Sequence, residues 1–314
     1  MVSYVLKRTI LAILIIILAI AVLFCMVFLI PGDPAAIALG PRATPEIKQV
    51  FRESMGLDKP IIVQLFRFFT NVLQGDLGVD VWSRRSVSTI LLEVIPHTLG
   101  LVLLSIVWPV VIGIPMGCYA AIHRHGFLDK VIGVVSVGVI AIPSFVVAIY
   151  ALLFFAVKLR WFPAIGVSDR GNILNQVYYL VLPAFAIGLG WVGYLARLVR
   201  ASMLEVLGEN YIRTARSFGI PESVVIFKYA LKVAIVPTVA LIGVGIGSLV
   251  SGAVFAEIVF SRPGIGKLIY DSVITRNYPL VMGGVIVTTS FLVTCTLVAD
   301  LLNAYLDPRV REKL

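Results

Sequence analysis

The sequence predicts an all-α integral membrane protein with six transmembrane helices, and two observations lead to this prediction. Of the 314 residues, 60% are hydrophobic and only 14% are charged, too few polar groups to cover a soluble domain of this length. Six stretches contain no Asp, Glu, Lys or Arg, and each exceeds the ~20 residues that cross a ~30 Å hydrocarbon core. These stretches are 9–32, 94–122, 131–157, 171–196, 233–256 and 277–299.

Residues 1–32 are predicted to form the first transmembrane helix. Lys7 and Arg8 precede it as in a secretory signal peptide, and Pro34-Ala35-Ala36 supplies the small residues of a cleavage site. The apolar run over 10–30 is, however, longer than the ~7–15 residues of a signal-peptide core. We therefore interpret this stretch as a retained span.

The distribution of Lys and Arg predicts which ends of the helices face the cytoplasm. With the N-terminus inside, the cytoplasmic loops and tails carry 13 of these residues, against six in the two short loops outside. The other seven lie in the long first loop, which the positive-inside rule largely discounts. Both termini are therefore expected in the cytoplasm, and the net charge of +9 reflects topology rather than a nucleic-acid partner.

An extracytoplasmic segment is predicted at 33–93, and a five-helix core follows over 94–314. A turn cluster at 31–34 ends the first helix. Within the segment, Thr44 is placed to cap a short helix that begins at Pro45 and extends to Met55. A second, amphipathic helix is predicted over 61–73, where apolar residues repeat every three and four positions, and 75–78 ends it.

Proline and glycine occupy particular positions inside the core spans. Pro109 and Pro115 lie in the second span and Pro143 in the third. Prolines that interrupt the hydrogen bonds of a membrane helix either face protein or a water-filled path, or form simple kinks that assist packing. Gly243 and Gly247 in the fifth span favour close approach of another helix, which belongs either to this chain or to a partner subunit.

The sequence has no pattern typical of an enzyme or a metal site. The three cysteines lie in three different spans, and the three histidines have no Cys or carboxylate at ligand spacing. The stretch 264–268 lacks the first glycine and the final hydroxyl residue of a phosphate-binding loop. Glu257 and Asp300 lie near span ends rather than at a midplane, which disfavours a proton-coupled transporter, and Glu257 is retained as a candidate path residue.

A polar segment at 201–232 separates the fourth and fifth spans. One helix is predicted over 202–218, with Gly219 just past its C-terminus, and Pro221 begins a second helix that continues to Lys232. Such a hairpin either rests on the membrane surface or inserts as a knob into a groove on a cytoplasmic subunit. The turn is expected to expose a basic apex carrying Tyr211, Ala215, Phe218 and Ile220.

Motifs spread over nearly the whole chain resemble one family. The stretch 211–219, Tyr-Ile-Arg-Thr-Ala-Arg-Ser-Phe-Gly, with Ala-Ile-Val-Pro at 234–237, resembles the EAA loop of bacterial ATP-binding cassette (ABC) importer permeases. The variant it resembles is the dipeptide, oligopeptide and nickel permease family. Further matches are Met-Gly-Leu-Asp-Lys-Pro at 55–60, Gly-Asp-Leu-Gly at 75–78, Trp-Phe-Pro at 161–163, Arg197 with Arg200, Phe-Ser-Arg-Pro-Gly-Ile-Gly at 260–266, and Leu-Asp-Pro-Arg at 306–309.

Three positions depart from the family pattern. Asp80 stands where a serine is usual, Ser86-Val87 replaces a Pro-Val pair, and Lys232-Val233 replaces Arg-Asn. The first two lie outside the membrane, so no particular member's substrate is carried over to this chain. These two departures do not disturb the segment at 201–232.

The resemblance implies a membrane subunit of an ATP-driven importer in the bacterial plasma (inner) membrane. Its implied partners are a second homologous permease subunit, two cytoplasmic ATPase subunits that bind ATP and Mg, an extracytoplasmic substrate-binding protein and membrane lipid. The chain itself is expected to hold no cofactor and to catalyse no reaction. The implied ATPase-coupling residues are Tyr211, Arg213, Thr214, Ala215, Arg216, Phe218, Gly219, Ile220 and Pro221.

The loop at 258–279 is the candidate contact for the binding protein. Its basic residues surround a Pro-Gly turn, which suits either a docking surface or simple anchoring at the membrane interface. The docking or translocation candidates are Glu257, Phe260, Arg262, Pro263, Gly264 and Lys267.

Di- or oligopeptides are the expected cargo, with nickel complexes, glutathione and oligosaccharides as alternatives. Two other classes of protein would show different patterns. A secondary transporter would carry midplane ionisable residues and repeat symmetry, and a membrane-embedded enzyme would carry clustered His, Asp or Ser at one interface. The sequence has neither pattern.

Overall fold

The computed structural model describes residues 2–29, 44–46, 48–49, 60–168 and 172–306. These parts of the chain are almost entirely helical, with one isolated antiparallel bridge between Val79 and Ser86. The all-α prediction is therefore confirmed. The short helix predicted from Pro45 to Met55 lies mostly outside the described residues.

The helices follow the predicted order, with one addition in the loop between the last two spans. Helix α1 (Val2–Leu29) precedes α2 (Ile61–Leu73), the amphipathic helix predicted for the external segment. The second span, α3, begins before the charge-free stretch that starts at residue 94, and α10 was not predicted. The remaining helices are α3 (Val87–Ile122), α4 (Phe127–Ala141), α5 (Ser144–Lys158), α6 (Ile173–Leu207), α7 (Asn210–Ser217), α8 (Glu222–Ala234), α9 (Val236–Val259), α10 (Ile265–Ile274) and α11 (Tyr278–Leu306).

Four helices of the described chain, α1, α3, α6 and α11, are long and apolar enough to cross a membrane. Two bent pairs add to them: α4 with α5, bent by 96°, and α8 with α9, bent by 41°. Each pair taken as one span gives the six predicted spans. The larger bend falls at Ile142 and Pro143, because proline has no N–H with which to continue the hydrogen bonds of α4.

Helices α3 and α6 form the centre of the core. A Cβ on Gly117 of α3 would lie 2.6 Å from the carbonyl oxygen of Ala196, so the two backbones approach closely. Nε1 of Trp108 also donates to the carbonyl of Ala184 in α6 over 3.0 Å. Pro109 is buried at this contact, facing protein. Helices α5 and α9 pack onto this pair through a buried apolar cluster that includes Leu101, Ala148, Ile187, Leu249 and Phe260.

The glycines of α9 pack against another helix of the same chain. A Cβ on Gly247 would lie 2.6 Å from Cδ1 of Leu292, and one on Gly243 would overlap Ala299, both in α11. Of the two alternatives for this small-residue surface, internal packing is therefore the one observed. Helix α1 joins the outer side of α11, where Nη1 of Arg8 lies 2.8 Å from Oδ2 of Asp300.

Candidate functional site

The polar segment between the fourth and fifth spans folds into a helical knob, defined here as residues 208–232. Helix α6 continues to Leu207, and Gly208 and Glu209 separate it from α7. The prediction of one helix over 202–218 is therefore wrong. Glycine is a poor helix former, and Glu209 adopts an extended ψ of 149°, so the chain turns before α7 begins.

Gly219 forms the left-handed turn that ends α7. Its φ is +72°, which confirms the conformation predicted for this position. The N–H of Ile220 donates to the carbonyl of Ala215 over 3.3 Å, and the N–H of Gly219 donates to that of Arg216 over 3.0 Å. These are the two bonds of a Schellman motif. Pro221 is the extended residue before α8, which begins one residue later than predicted.

The two helices of the knob are held together by an ion pair beside this turn and by buried apolar contacts. Nη2 and Nε of Arg216 donate to the carboxylate of Glu222 at the start of α8, over 2.6 and 3.1 Å. Ile212 and Ala215 are buried against α3, α6 and α8. Ala215 therefore does not lie on the exposed apex as predicted, because its small side chain lets α7 pack closely. The partners in this cluster include Cys118, Val199, Met203, Val206, Val225 and Ile226.

The outer surface of the knob is aromatic and basic. Phe218 is 80% exposed at the turn and Tyr211 is 42% exposed on α7. Ile220 is less exposed than these two side chains and is half-buried. A large aromatic side chain that is exposed on a rigid turn is suited to fill a pocket on a partner. The other exposed residues predicted for coupling are Arg213, Thr214, Arg216, Gly219 and Pro221.

At the opposite end of the core, Glu257 is buried where three helices meet. Its Oε1 accepts from the hydroxyl of Thr98 in α3 over 2.6 Å, and its Oε2 accepts from the N–H of Lys267 in α10 over 3.0 Å. Gly264 is required beside it, because a Cβ there would overlap the carboxylate. The carboxylate thus caps α10 and ties it to α3 and α9. This structural role argues against Glu257 as a path residue.

The loop that follows does not expose its arginine. Arg262 is 3% exposed and donates from Nη1 to the carbonyls of Gly166 and Tyr179, over 3.3 and 3.2 Å, and Phe260 is 2% exposed. The prediction of a basic apex built on Arg262 is therefore wrong. Both side chains therefore hold the loop in place, Phe260 through buried apolar contacts and Arg262 through these hydrogen bonds. Beside them, Gly264 is buried and Pro263 is half-buried. The basic side chains left on the surface of this loop are Lys267, which pairs with Asp271 over 2.9 Å, and Arg276.

A further buried pair, not predicted from the sequence, joins the segment before α3 to the loop between the last two spans. Asp80 accepts hydrogen bonds from the N–H groups of Trp82 and Ser83, from the Ser83 hydroxyl and from the side-chain amide of Asn277. Burial alone would raise the pKa of Asp80, but these hydrogen bonds outweigh it and hold the pKa below its usual value. The sign of this contact in the sequence is Asp80 itself, which stands where the family usually has a serine.

The chain is similar to known proteins over its whole length. Residues 113–312 match the family described as "Binding-protein-dependent transport system inner membrane component", and residues 1–102 match the corresponding N-terminal family. The glutathione transport system permease protein GsiC of Salmonella paratyphi A is 35% identical over 313 residues. The proteins of that name from Pectobacterium atrosepticum and Escherichia coli O6:H1 are 35% and 33% identical. Each of these comparisons covers 100% of both chains.

A solved structure shares the fold. The MetNI methionine ABC transporter, in an inward-facing conformation, matches with a TM-score of 0.55 at 19% identity, covering 69% of this chain and 96% of that one. The chain therefore belongs to the binding-protein-dependent transport system inner membrane component family, as a multi-pass permease subunit of an ABC importer and not itself an enzyme.

Proposed function

We propose that this permease subunit imports small peptides, with glutathione first among them. The observation that carries the proposal is the similarity of 33–35% over full length to permeases of glutathione transport systems. The sequence analysis gave glutathione as an alternative to the expected di- or oligopeptides, and glutathione is itself a tripeptide. A peptide backbone and its terminal charges are the groups that the path would have to accommodate.

The complex is proposed to contain a second homologous permease subunit, two ATPase subunits and an extracytoplasmic binding protein. ATP and Mg bind to the ATPase subunits, and this chain contributes the path and the coupling contact. Both termini and the knob face the cytoplasm, while residues 33–93 lie outside. The excess of Lys and Arg supports this topology, and the contact of Arg8 with Asp300 brings the start of the first span and the end of the last together.

The knob is proposed to convert ATPase closure into movement of the core. Phe218 and Tyr211 supply the surface that docks, and the Arg216–Glu222 bridge and the turn at Gly219 keep that surface rigid. Beneath it, the packing of Ile212 against α3 and α6 gives a close-packed route into the two central helices. A push on the knob would therefore move the spans rather than deform the loop.

Uptake by the assembled importer tests the cargo. The complete complex, with its binding protein, is placed in proteoliposomes and supplied with labelled glutathione, a dipeptide or maltotriose. We expect ATP-dependent uptake and stimulated ATP hydrolysis with glutathione, and neither when the binding protein is omitted. Stimulation by maltotriose but by no peptide would refute the proposed cargo class.

Membrane-impermeant thiol labelling tests the proposed topology. The chain is first freed of its three native cysteines, and cysteines are then placed at Ser86 and Ser217, which are both exposed. We expect the two positions to react from opposite sides of the membrane. Labelling of both from one side would contradict the topology.

A further inference from the structure

A basic cavity lies between the start of α4 and the second half of α6. Its volume is about 480 Å³, within the ~300–1,000 Å³ typical of small-molecule sites. It is lined by Asp129, Lys130 and Gly133 of α4 and by Arg197, Arg200 and Ala201 of α6. None of these residues belongs to the knob or to the buried clusters around Glu257 and Asp80.

The cavity lies where two spans meet the membrane surface. Lys130 is the last charged residue before the charge-free stretch 131–157, and Arg197 is the first one after the stretch 171–196. Charged residues at the end of a span lie at the boundary between the hydrocarbon core and the lipid headgroups. The cavity is therefore at the depth of the lipid phosphates, whichever face of the membrane is cytoplasmic.

The two helices close the cavity on the side of the membrane centre. A Cβ on Gly193, about one turn deeper in α6 than Arg197, would lie 2.7 Å from the carbonyl oxygen of Ser136 in α4. The two backbones are thus in close contact there, and Ser136 is buried. The cavity is therefore a blind pocket at the membrane surface and not a passage between the helices.

A buried carboxylate fixes the two walls of the pocket relative to each other. Nη2 of Arg200 in α6 donates to Oδ2 of Asp129 in α4 over 2.8 Å, and Nε of Arg200 donates to Oδ1 of the same carboxylate. The N–H of His125 also donates to Oδ2, over 3.0 Å. Because these bonds join α4 to α6, the pocket is already formed before a ligand binds.

The pocket carries two positive charges that no carboxylate balances. The bidentate pair of Arg200 with Asp129 is neutral overall. Lys130 and Arg197 are both exposed and form no ion pair with any residue that the structure describes. An arginine and a lysine that line one pocket are suited to hold the oxygens of a single phosphate group, the arginine through its planar fork and the lysine as a point charge.

The surface beside the pocket is suited to acyl chains. Val134 and Val137 follow Lys130 at spacings of four and three residues, so they continue its face of α4 towards the membrane centre. They are 74% and 53% exposed. On α6, Tyr194 is exposed one turn deeper than Arg197, and aromatic side chains are enriched at this depth. A soluble phosphate would make no contact with these apolar side chains.

We infer that this pocket binds the headgroup of an anionic phospholipid, whose acyl chains lie along α4. Lys130 and Arg197 hold the phosphate oxygens, and the two uncompensated charges favour a lipid with net negative charge over a zwitterionic one. Basic pockets between transmembrane helices are known to bind anionic headgroups. The inference goes beyond the proposed function, since it depends neither on the cargo nor on the topology.

Native mass spectrometry of the assembled importer in detergent tests the inference. Phosphatidylglycerol, which is anionic, and phosphatidylcholine with the same acyl chains are titrated separately, and the affinity of the first retained lipid is measured. We expect tighter binding of phosphatidylglycerol. Lys130→Gln combined with Arg197→Gln should weaken its binding about tenfold or more and leave that of phosphatidylcholine unchanged.

Two control variants separate a defined site from general attraction between charges. Lys7→Gln combined with Arg124→Gln also removes two exposed cations, neither of which lines the pocket, and should retain the parent's affinity. Lys130→Arg combined with Arg197→Lys keeps both charges and should retain most of the affinity. Thermal unfolding without anionic lipid should give the parent's temperature for the glutamine variant, since both changed side chains are exposed.

Three results would overturn the inference. If the Lys130 and Arg197 glutamine variant binds phosphatidylglycerol as tightly as the parent does, or if the assembled importer retains none, the pocket is not a lipid site. If the Lys7 and Arg124 variant loses as much affinity, only the overall charge matters. If inorganic phosphate displaces phosphatidylglycerol at equal concentration, the pocket binds a soluble anion instead. None of these measurements involves cargo, so failure of the uptake assay is separately recognisable.

Discussion

The hydroxyl of Thr98 in α3 donates to the carboxylate of Glu257 in α9 over 2.6 Å, across 159 residues of sequence. The same hydroxyl oxygen accepts from the N–H of Ile265 at the start of α10, over 2.9 Å. A buried carboxylate is tolerated when its oxygens are hydrogen-bonded, and here each oxygen accepts one bond. This pair therefore joins three helices at the end of the core opposite the knob.

Thr98→Val should destabilise that end of the protein. The change keeps the shape of the side chain but leaves the N–H of Ile265 without its acceptor and Glu257 without one donor, at a cost of about 1–3 kcal/mol. Thermal unfolding of the purified permease in detergent measures the effect, and Thr98→Ser, which keeps the hydroxyl, is the control. Equal unfolding temperatures for the valine and serine variants would show that the bond contributes nothing.

Gly219→Val should uncouple transport without preventing membrane insertion. The φ of +72° costs a β-branched residue about 1–2 kcal/mol, and no atom lies within 4 Å of a Cβ there, so the strain is confined to the backbone of the turn. We expect lower uptake and lower binding-protein-stimulated ATP hydrolysis in the assembled complex. Gly219→Asn, which tolerates this conformation better, should retain most of both activities. Normal stimulation in the valine variant would contradict a coupling role for the turn.

Arg262→Ser should impair folding rather than the contact with the binding protein. The change removes hydrogen bonds to two carbonyls and leaves a cavity at a site that is 3% exposed, so we expect a loss of stability of about 2–4 kcal/mol. Arg276→Ser is the matched surface variant and should unfold at the parent's temperature. Thermal unfolding separates the two variants. An unchanged unfolding temperature for Arg262→Ser would mean that its buried contacts do not hold the loop.

The Asp80 carboxylate should stabilise the protein at neutral pH and lose this effect in acid. Because its folded pKa is depressed, its contribution is complete above the unfolded value of about 3.9 and disappears as the pH falls through the folded value. Asp80→Asn should therefore lower stability by about 1–3 kcal/mol at pH 7. The difference from the parent should shrink below about pH 4. Unfolding temperatures at pH 7 and pH 3 test this, and a gap of equal size at both pH values would refute it.

The features predictable from the sequence were those with a local physical cause. Charge-free runs with enough residues to cross the hydrocarbon core predict transmembrane spans. A glycine just after a helical pattern predicts the left-handed turn at Gly219. The bend at Pro143 likewise follows from the missing N–H of proline. In each case, the residues that determine the feature lie within one or two turns of it.

The features that were missed depend on contacts distant in sequence. Asp80 and Asn277 are 197 residues apart, so neither position indicates the other's burial. Arg262 was assigned to a surface because arginine is usually exposed, whereas backbone carbonyls from two other segments here accept its hydrogen bonds. Ala215 was placed on the apex because its neighbours in sequence are polar, although its face of α7 packs inward.

Phe218 is proposed to transmit ATPase closure from the knob to the spans. Cargo-stimulated ATP hydrolysis by the assembled importer carrying Phe218→Ala tests this role. Losing an aromatic anchor from a partner's pocket costs about 2 kcal/mol or more, so we expect stimulated hydrolysis to fall about tenfold or more. Phe127→Ala, at a phenylalanine that is also 80% exposed but lies outside the knob, should retain it. Stimulated hydrolysis at the parent's level in the Phe218→Ala complex would show that Phe218 does not transmit the closure.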